Sequence, residues 1–496
     1  MKPLFPTLTA LLLCSTAASA ELTPQDIFTS WRGVYAGFGA TISTSDPVVT
    51  GNTTRFPDVI AQMNMADTET SYVFDWVEMQ RTSDGSLAIT FSPNGHVSSL
   101  ANVTGETLAS RASYDLGSLT INADGTPEDI RYTYSAAVIT VQQSQSMPDR
   151  EVSVSTALQN LQGQTRTQLE EGQISESGSH SIDSLTATIT FDAQNKPSYL
   201  DYRAEDLTIE YDLGMPRLPV PQTASSSPSL YPDGMVFGIT FGTGPATTIF
   251  TQNTEQGKSV FTFTQAIGGL TAAYDTNALS YGITTSDTAL ALENTPAQMV
   301  DFTAAFEHFN FGVTVPIRKS DTPSPFALAL ALENLTLGNE VWTKFDPNST
   351  LSQAPASLAF SINGTAKLFA DLFDRSALTA LRGAPFELRS LSLESLNLSL
   401  EGMGLTGDGN VTFNNDRVDP LSGLPEPTGV LDFSINGALG LLDKVGRLGF
   451  FEPLAIIGAK GALGMFATPS TEADSFTSRI EFTDGGHVSV NGQQVK

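Results

Sequence analysis

Leucines recur at every second position in two separate stretches of this chain. The first stretch reads "LALENLTL" over residues 330–337, the second reads "LSLESLNLSL" over 391–400, and a shorter "LALEN" covers 290–294. Successive side chains of a β-strand point to opposite faces of the sheet, so leucines two apart share one face. The pattern therefore predicts half-buried strands that contribute to a continuous apolar sheet face.

In each long stretch the leucine spacing changes once from two to three. The wider step separates Leu332 from Leu335 and Leu393 from Leu396. In an uninterrupted strand this step would turn the later leucines to the opposite face. A β-bulge would absorb the extra residue, whereas a tight turn is the alternative, although Glu-Asn and Glu-Ser are poor two-residue hairpin turns. With a bulge, the predicted apolar sheet face comprises Leu328, Leu330, Leu332, Leu335, Leu337, Leu391, Leu393, Leu396, Leu398 and Leu400.

The first twenty residues have the pattern of an export signal. Lys2 provides the positive charge, residues 4–13 provide the apolar segment, and Ala18 and Ala20 mark a cleavage site after Ala20. We therefore expect a periplasmic protein. Cys14 lies inside this signal and is the one cysteine of the chain, so the mature protein would contain no disulfide, thiolate metal site or cysteine nucleophile.

The chain is strongly acidic, with 53 Asp and Glu against 25 Lys and Arg and a formal net charge of −28. Such a surface repels polynucleotides, so a nucleic-acid partner is not expected. The longest apolar segment after the signal, residues 453–466, is interrupted by Lys460. It is too short to cross a bilayer, so no transmembrane anchor is expected once the signal is removed.

The remaining patterns predict a mainly β fold of antiparallel, hairpin-rich curved sheets with a few packing helices. A first helix begins at Thr23, with Pro24 at its first position and Asp26 in its first turn. Further helices are predicted near 365–382 and 438–466, and hairpin turns at Asn94-Gly95, Asp124-Gly125 and Gly485-Gly486. Residues 155–171, rich in Gln and Thr, are predicted to be a short helix or a loop.

The proline-rich segment 214–234, with five prolines and a serine run, is predicted to be a linker. It would separate an N-terminal helix and hairpin domain, 21–213, from a C-terminal β-rich domain with interspersed helices, 235–496.

Motifs for catalysis or metal binding are weak. The four histidines have no second histidine at ligand spacing, and the serine-hydrolase elbow, the phosphate-binding loop and the dinucleotide fingerprint do not occur. Asp124, Glu128 and Asp129 form a weak calcium candidate, because hard cations prefer several oxygen ligands. We therefore predict no catalytic residues, no cofactor and no metal site beyond this candidate.

Four stretches carry a resemblance to a known family. They are "LTPQDIFTSWRGVYAGFGATI", "ENLTLGNEVWTKFDPNSTLSQAPASLAFSINGTAKLFADLFD", "VLDFSINGALGLLDKVGRLGF" and "FTSRIEFTDGGHVSVNGQQVK". Together they resemble an exported alphaproteobacterial family catalogued as domain of unknown function number 2125, which has no assigned activity. More remotely, the ending is similar to AsmA-like envelope proteins. The resemblance to those proteins implies long curved sheets that handle lipids.

These observations favour an uncharacterised exported, non-enzymatic β-rich protein. It would bind or shield an apolar, lipid-like ligand, or support envelope assembly with lipid or an envelope protein as partner. A secreted hydrolase that uses a pair of carboxylates is one alternative. An outer-membrane β-barrel is another, suggested by "WRGVYAGFGA", although many strands look too short for it.

Overall fold

The fold is taken from a computed structural model. It describes residues 21–65, 68–103, 106–147, 150–193, 196–217, 234–254, 257–295, 301–381, 383–418 and 425–495. The predicted signal, 1–20, and most of the predicted linker, 218–233, lie outside the described residues.

Strands dominate the chain, and five helices accompany them. The first strands are β1 (Thr41–Ser43), β2 (Val48–Thr50), β3 (Thr53–Met65), β4 (Thr68–Arg81), β5 (Leu87–Phe91), β6 (Asn94–Val103), β7 (Glu106–Asp115), β8 (Thr120–Thr126), β9 (Asp129–Met147), β10 (Arg150–Glu170), β11 (Gln173–Ala193) and β12 (Lys196–Pro216). The next are β13 (Val236–Thr243), β14 (Ala246–Thr254), β15 (Gly257–Gln265), β16 (Ile267–Tyr274), β17 (Ala278–Thr295), β18 (Phe302–Pro316), β19 (Ser324–Leu337), β20 (Ala356–Leu368), β21 (Phe386–Leu400), β22 (Met403–Val418), β23 (Pro425–Asn436), β24 (Thr468–Pro469), β25 (Ser475–Thr483), β26 (His487–Val490) and β27 (Gln493–Gln494). The helices are α1 (Pro24–Gly37), α2 (Asn339–Phe345), α3 (Arg375–Ala380), α4 (Ala438–Leu448) and α5 (Pro453–Phe466).

All of these strands belong to one antiparallel sheet, so the predicted fold class is confirmed. From one edge, β1 and β2 pair with β3, which is followed by β4 and later by β9, β10, β11 and β12. After β17 the strands follow chain order to β23, and then come β25, β26 and β27. Pairing of β12 with β13 and β14 continues the sheet from the first predicted domain into the second. The division into two domains stays a prediction.

Two places in the sheet are filled by shorter strands set end to end. β12 pairs with β13 along one half and with β14 along the other, and β17 pairs in the same way with β16 and β15. β5 to β8 repeat this arrangement between β4 and β9. The two four-strand inserts are therefore two copies of one topological unit.

Each long leucine stretch contains the β-bulge that the sequence predicts. Leu332 and Leu335, three apart on β19, lie opposite Leu358 and Ala356 of β20, which are two apart. On β21, Leu393 and Leu396 likewise lie opposite two glycines of β22, Gly409 and Gly407. The register places all ten predicted leucines on one side of the sheet, which we call the leucine face.

A line of backbone irregularities crosses the sheet from β3 to β19, and the bulge of β19 is the last of them. At this level five of the long strands, β3, β10, β12, β17 and β19, carry an Asp or Asn with a left-handed backbone. The φ angles are 51° for Asp58, 53° for Asn160, 51° for Asp206, 47° for Asp287 and 55° for Asn334. In the two inserts the chain itself breaks there, at Ser92-Pro93 and Gly244-Pro245. Among L-residues Asp and Asn adopt this conformation most readily, and proline cannot donate to the ladder. We call this line the crease.

Along the crease the sheet folds towards its leucine face. The left-handed Asp and Asn residues are exposed, whereas eight neighbouring side chains on the leucine face are at most 6% exposed. These buried residues are Val59, Ala136, Ile182, Ala204, Leu207, Ala246, Thr288 and Ala304. Ala204 and Leu207 lie on opposite sides of Asp206 and still pack in one cluster. The crease is therefore the inner corner of a trough that crosses thirteen strand positions, roughly 58 Å at the usual strand spacing.

The first helix forms as predicted and packs into one end of this trough. Thr23 and Asp26 make a reciprocal capping box, in which the backbone N–H of Asp26 donates to Thr23 Oγ1 at 3.2 Å and that of Thr23 donates to Asp26 Oδ2 at 2.9 Å. Ile27 and Phe28 are buried against β3, β4 and β5, and Phe28 stacks on Phe56 at 4.7 Å between ring centroids. This cluster is the main core of the N-terminal half.

Several local predictions are wrong, and each error has a structural reason. Residues 155–170 are neither a helix nor a loop, because they lie in β10, whose backbone pairs with β9 on one edge and with β11 on the other. Asn94-Gly95 does not turn a hairpin, since β5 and β6 both pair with β4 and the chain continues across the crease. The helix expected near 365–382 is confined to Arg375–Ala380, because β20 extends to Leu368.

Asp206→Val should destabilise the protein, whereas Asp206→Gly should not. A β-branched residue is strained at φ 51°, so we expect the valine variant to lose about 1–3 kcal/mol of unfolding free energy. Glycine adopts this angle without strain, so its variant should match the wild type or exceed it in stability. Urea unfolding of the three proteins measures the difference, and equal losses in both variants would contradict a backbone origin of the crease.

Candidate functional site: an apolar trough

The central part of the trough is lined by large apolar side chains in rows that run straight across the strands. In the first row each residue lies directly opposite the next from β12 to β21. This row comprises Ile209, Phe241, Leu270, Ile283, Phe311, Leu330, Phe360 and Leu396, all of them half-buried. Eight neighbouring strands make the row roughly 34 Å long. It is a continuous apolar surface with no second layer of sheet over it in the described part of the chain.

Further rows line the trough on both sides of the crease. Ile239, Ala272, Tyr281, Val313, Leu328, Ile362 and Leu393 follow one another next to the first row. Beyond the crease, Leu200, Phe250, Phe261, Leu292 and Phe302 form the corresponding row of the other wall. Both walls of the trough therefore present aliphatic and aromatic side chains to one interior.

The trough is closed at one margin and filled at one end. At the closed margin, a cluster forms around buried Tyr274 and Ile317. It contains Phe38, which follows α1, Leu372, and leucine-face residues at the ends of β12, β13, β17 and β18. The helix α1 itself occupies the section between β3 and β12, where a Cβ on Gly37 would collide with Met215. Beyond α1 the residues of the first row, from Ile209 to Leu396, stay half-buried.

One polar cluster interrupts the leucine face beside α1. The ring of His180 lies between those of Tyr134 and Tyr211, at centroid distances of 5.3 and 5.6 Å. Tyr134 OH hydrogen-bonds to His180, and Tyr211 OH donates to Glu176 Oε1 at 2.8 Å. Burial lowers the pKa of His180 below its usual 6.5, so the imidazole is neutral at pH 7. The cluster contains one carboxylate, so it does not form the carboxylate pair that glycoside hydrolysis requires.

The opposite face of the same strands has a different character. Opposite the first apolar row, the residues next in sequence are Glu210, Thr240, Thr271, Gly282, Gly312, Ala329, Ser361 and Ser395. Their small size leaves a broad hollow of about 720 Å³ on this side. Large apolar side chains and small polar ones are thus sorted onto opposite faces of one sheet.

The calcium candidate of Asp124, Glu128 and Asp129 does not form a metal site among the described residues. Asp129 forms a two-pronged ion pair with Arg166, with both N···O distances 2.7 Å, which holds the pKa of Asp129 below its usual value. Within the described ranges, no three His, Cys, Asp or Glu side chains group closely enough to hold a metal ion. Asp201, Glu205, Glu210 and Asp212 are exposed and lie on the polar face of β12.

Comparisons with known proteins assign this chain to no family. A scan against protein-family models finds no match, and a search of curated proteins finds none either. The resemblance to the domain-of-unknown-function family and to AsmA-like proteins therefore stays a prediction. None of the helices in the described part of the chain combines the length and apolar character that crossing a bilayer requires.

The sequence identifies only part of the lining. The ten leucines were found by their spacing, but Phe241, Leu270, Ile283, Phe311 and Phe360 sit on strands whose alternation is shorter and interrupted by glycine. The crease residues were missed altogether. A usable signal exists for them, because an Asp or Asn falls within an apolar step of three at Ala204 to Leu207 as it does at Leu332 to Leu335.

Replacing His180 by phenylalanine should make the free energy of unfolding fall less as the pH drops below neutral. The folded state lowers the pKa of His180, so the unfolded chain binds more protons and stability falls as the pH drops through and below about 6.5. His180→Phe removes this loss and keeps the stacking between the two tyrosines. Urea midpoints at about pH 7.5 and 5.5 measure the slope, and His308→Phe, at an exposed position of β18, serves as the matched control. An unchanged slope in His180→Phe would contradict the assignment.

Proposed function

We propose that this chain is an exported, periplasmic, non-enzymatic protein that holds an apolar, lipid-like ligand in its trough. The observation that carries the proposal is the continuous row of half-buried apolar residues from Ile209 to Leu396. It is supported by the export pattern at the start of the sequence and by the resemblance to lipid-handling envelope proteins.

The energetics favour an apolar occupant. Fully burying one Leu, Ile or Phe side chain contributes about 1.5–3 kcal/mol, and each row offers several such side chains that the fold leaves half-buried. Contiguous apolar patches of this size on a soluble protein mark a binding surface. A ligand that covers the row would supply the burial that a second layer of structure supplies in other sheets.

The dimensions suit acyl chains. The first row is roughly 34 Å long, which is close to the ~30 Å thickness of a bilayer's hydrocarbon core, so two acyl chains end to end would fill it. The lining carries no charged side chain in this row, and it therefore discriminates by shape and apolarity. The acidic, polar outer face keeps the loaded protein in water.

Removing two aromatic side chains from the trough should weaken lipid binding. We expect Phe241→Ser with Phe311→Ser to lower the affinity for a fluorescent fatty acid several-fold, because covering the part of each half-buried ring that is still exposed contributes a fraction of the about 1.5–3 kcal/mol that full burial gives. The matched control is Thr240→Ser with Asn310→Ser, on the same strands but on the polar face.

Fluorescence titration measures both affinities, and native mass spectrometry of protein purified from the periplasm tests for co-purified lipid. The proposal fails if the wild type neither carries lipid nor takes up the fatty acid. It also fails if both pairs of substitutions bind the fatty acid equally well.

A further inference from the structure

The C-terminal helix α5 is apolar and exposed on almost every side. Its sequence is "PLAIIGAKGALGMF", and none of its 14 residues is buried. Leu454, Ile457 and Met465 are 78%, 64% and 71% exposed. Its one charged side chain, Lys460, is paired with Asp443 of α4 at 2.5 Å. A helix that is apolar all round is normally surrounded by an apolar environment, and the described part of the fold does not supply one.

The exposed apolar surface continues beyond this helix. Phe450 and Phe451, which connect α4 to α5, are 59% and 55% exposed. Phe450 meets the exposed Phe345 of α2 edge to face, with 6.2 Å between ring centroids. We call α4, α5 and their connection, residues 438–466, the C-terminal hairpin.

The C-terminal hairpin sits at one rim of the trough. It follows directly from the end of β23, and α2 follows directly from the end of β19. β21 also ends on this side, at Leu400, which belongs to the leucine face and is 39% exposed. The apolar lining of the trough therefore leads towards the apolar surface of the hairpin.

The hairpin is held firmly against the sheet. The carboxylate of Asp474 accepts hydrogen bonds from the backbone N–H groups of Leu439 and Gly440, both at 2.9 Å, and so caps the start of α4. Lys444 of α4 lies 3.5 Å from the buried carboxylate of Glu401, which also accepts the backbone N–H of Ser352 at 2.6 Å. The exposed apolar helix is thus presented in a fixed orientation.

Charge distinguishes this surface from the rest of the molecule. Residues 438–466 contain Lys444, Arg447 and Lys460 against Asp443 and Glu452, a net charge of +1 in a chain of −28. Two acidic residues outside this range, Glu401 and Asp474, contact the hairpin directly, so its surface is close to neutral. A second copy of the chain would bring together two strongly acidic bodies, whereas a bilayer meets the nearly neutral hairpin through its apolar side chains.

We propose that the C-terminal hairpin docks this protein on the surface of a phospholipid bilayer, with the rim of the trough facing the lipid. At 14 residues α5 is roughly 21 Å long, so it lies within the headgroup and upper acyl region. Acyl chains can surround such a helix on several sides, whereas a protein partner would cover one. The docking deepens the proposed lipid-binding function, because it places the end of the apolar rows next to a source or acceptor of lipid.

Flotation with vesicles of phosphatidylethanolamine and phosphatidylglycerol tests the docking. The wild type should float with the vesicles at about 0.15 M salt. The variant Leu454→Ser, Ile457→Ser, Met465→Ser should float at least tenfold less, because it removes three exposed apolar side chains. The matched control is Val48→Ser with Val49→Ser, two exposed residues of β2 at the other edge of the sheet, and it should float like the wild type.

The outcomes separate this inference from the proposed function. A wild type that stays in solution, or a hairpin variant that floats like it, overturns the docking. A wild-type dimer that the same three substitutions dissociate in sedimentation also overturns it, because the hairpin would then bind a second copy. Retained fatty-acid binding by the hairpin variant, together with normal flotation of the Phe241/Phe311 variant, supports it. Flotation of a wild type that binds no fatty acid would leave the docking intact and refute the trough proposal.

Discussion

The left-handed backbone at one level of five strands across the sheet is the constraint on which the remaining structure depends. Each left-handed residue costs about 1–2 kcal/mol relative to ordinary backbone, less for Asp and Asn. The neighbouring strands hold it in place: β11, for example, has no left-handed residue and keeps one register with β10 and with β12 across the crease. Five residues that are far apart in sequence therefore form one structural feature, namely Asp58, Asn160, Asp206, Asp287 and Asn334.

Folding a single-layer sheet along this line has a consequence for stability. The corner buries small and medium side chains such as Ala204 and Leu207, and α1 buries the section between β3 and β12. The central rows receive no such cover from the described residues. A sheet usually hides its apolar face against a second layer, so this protein keeps a surface on which a ligand can take the place of that layer.

The local chemistry of the sequence predicts much of the leucine face, because alternation and bulges are short-range properties. The step from Leu332 to Leu335 indicates a bulge without knowledge of the partner strand. The crease is different, since it exists only when breaks in many strands align, and alignment is a property of the register. Residues 155–171 mislead for a related reason. Their Gln and Thr content is typical of solvated segments, yet β9 and β11 pair with both edges of that strand.

The trough and the C-terminal hairpin are linked by the direction of the strands. β19, β21 and β23 run in the same direction and all end at the rim, where α2 follows β19 and the C-terminal hairpin follows β23. The hairpin lies where β21 and β23 reach that rim, and Asp474 and Glu401 fix it there. Such rigid attachment does not suit a mobile lid, which has to move away from the sheet. In the proposed docking, a fixed contact surface would decide which end of the trough meets the membrane, and lipid would then pass between the two without crossing water.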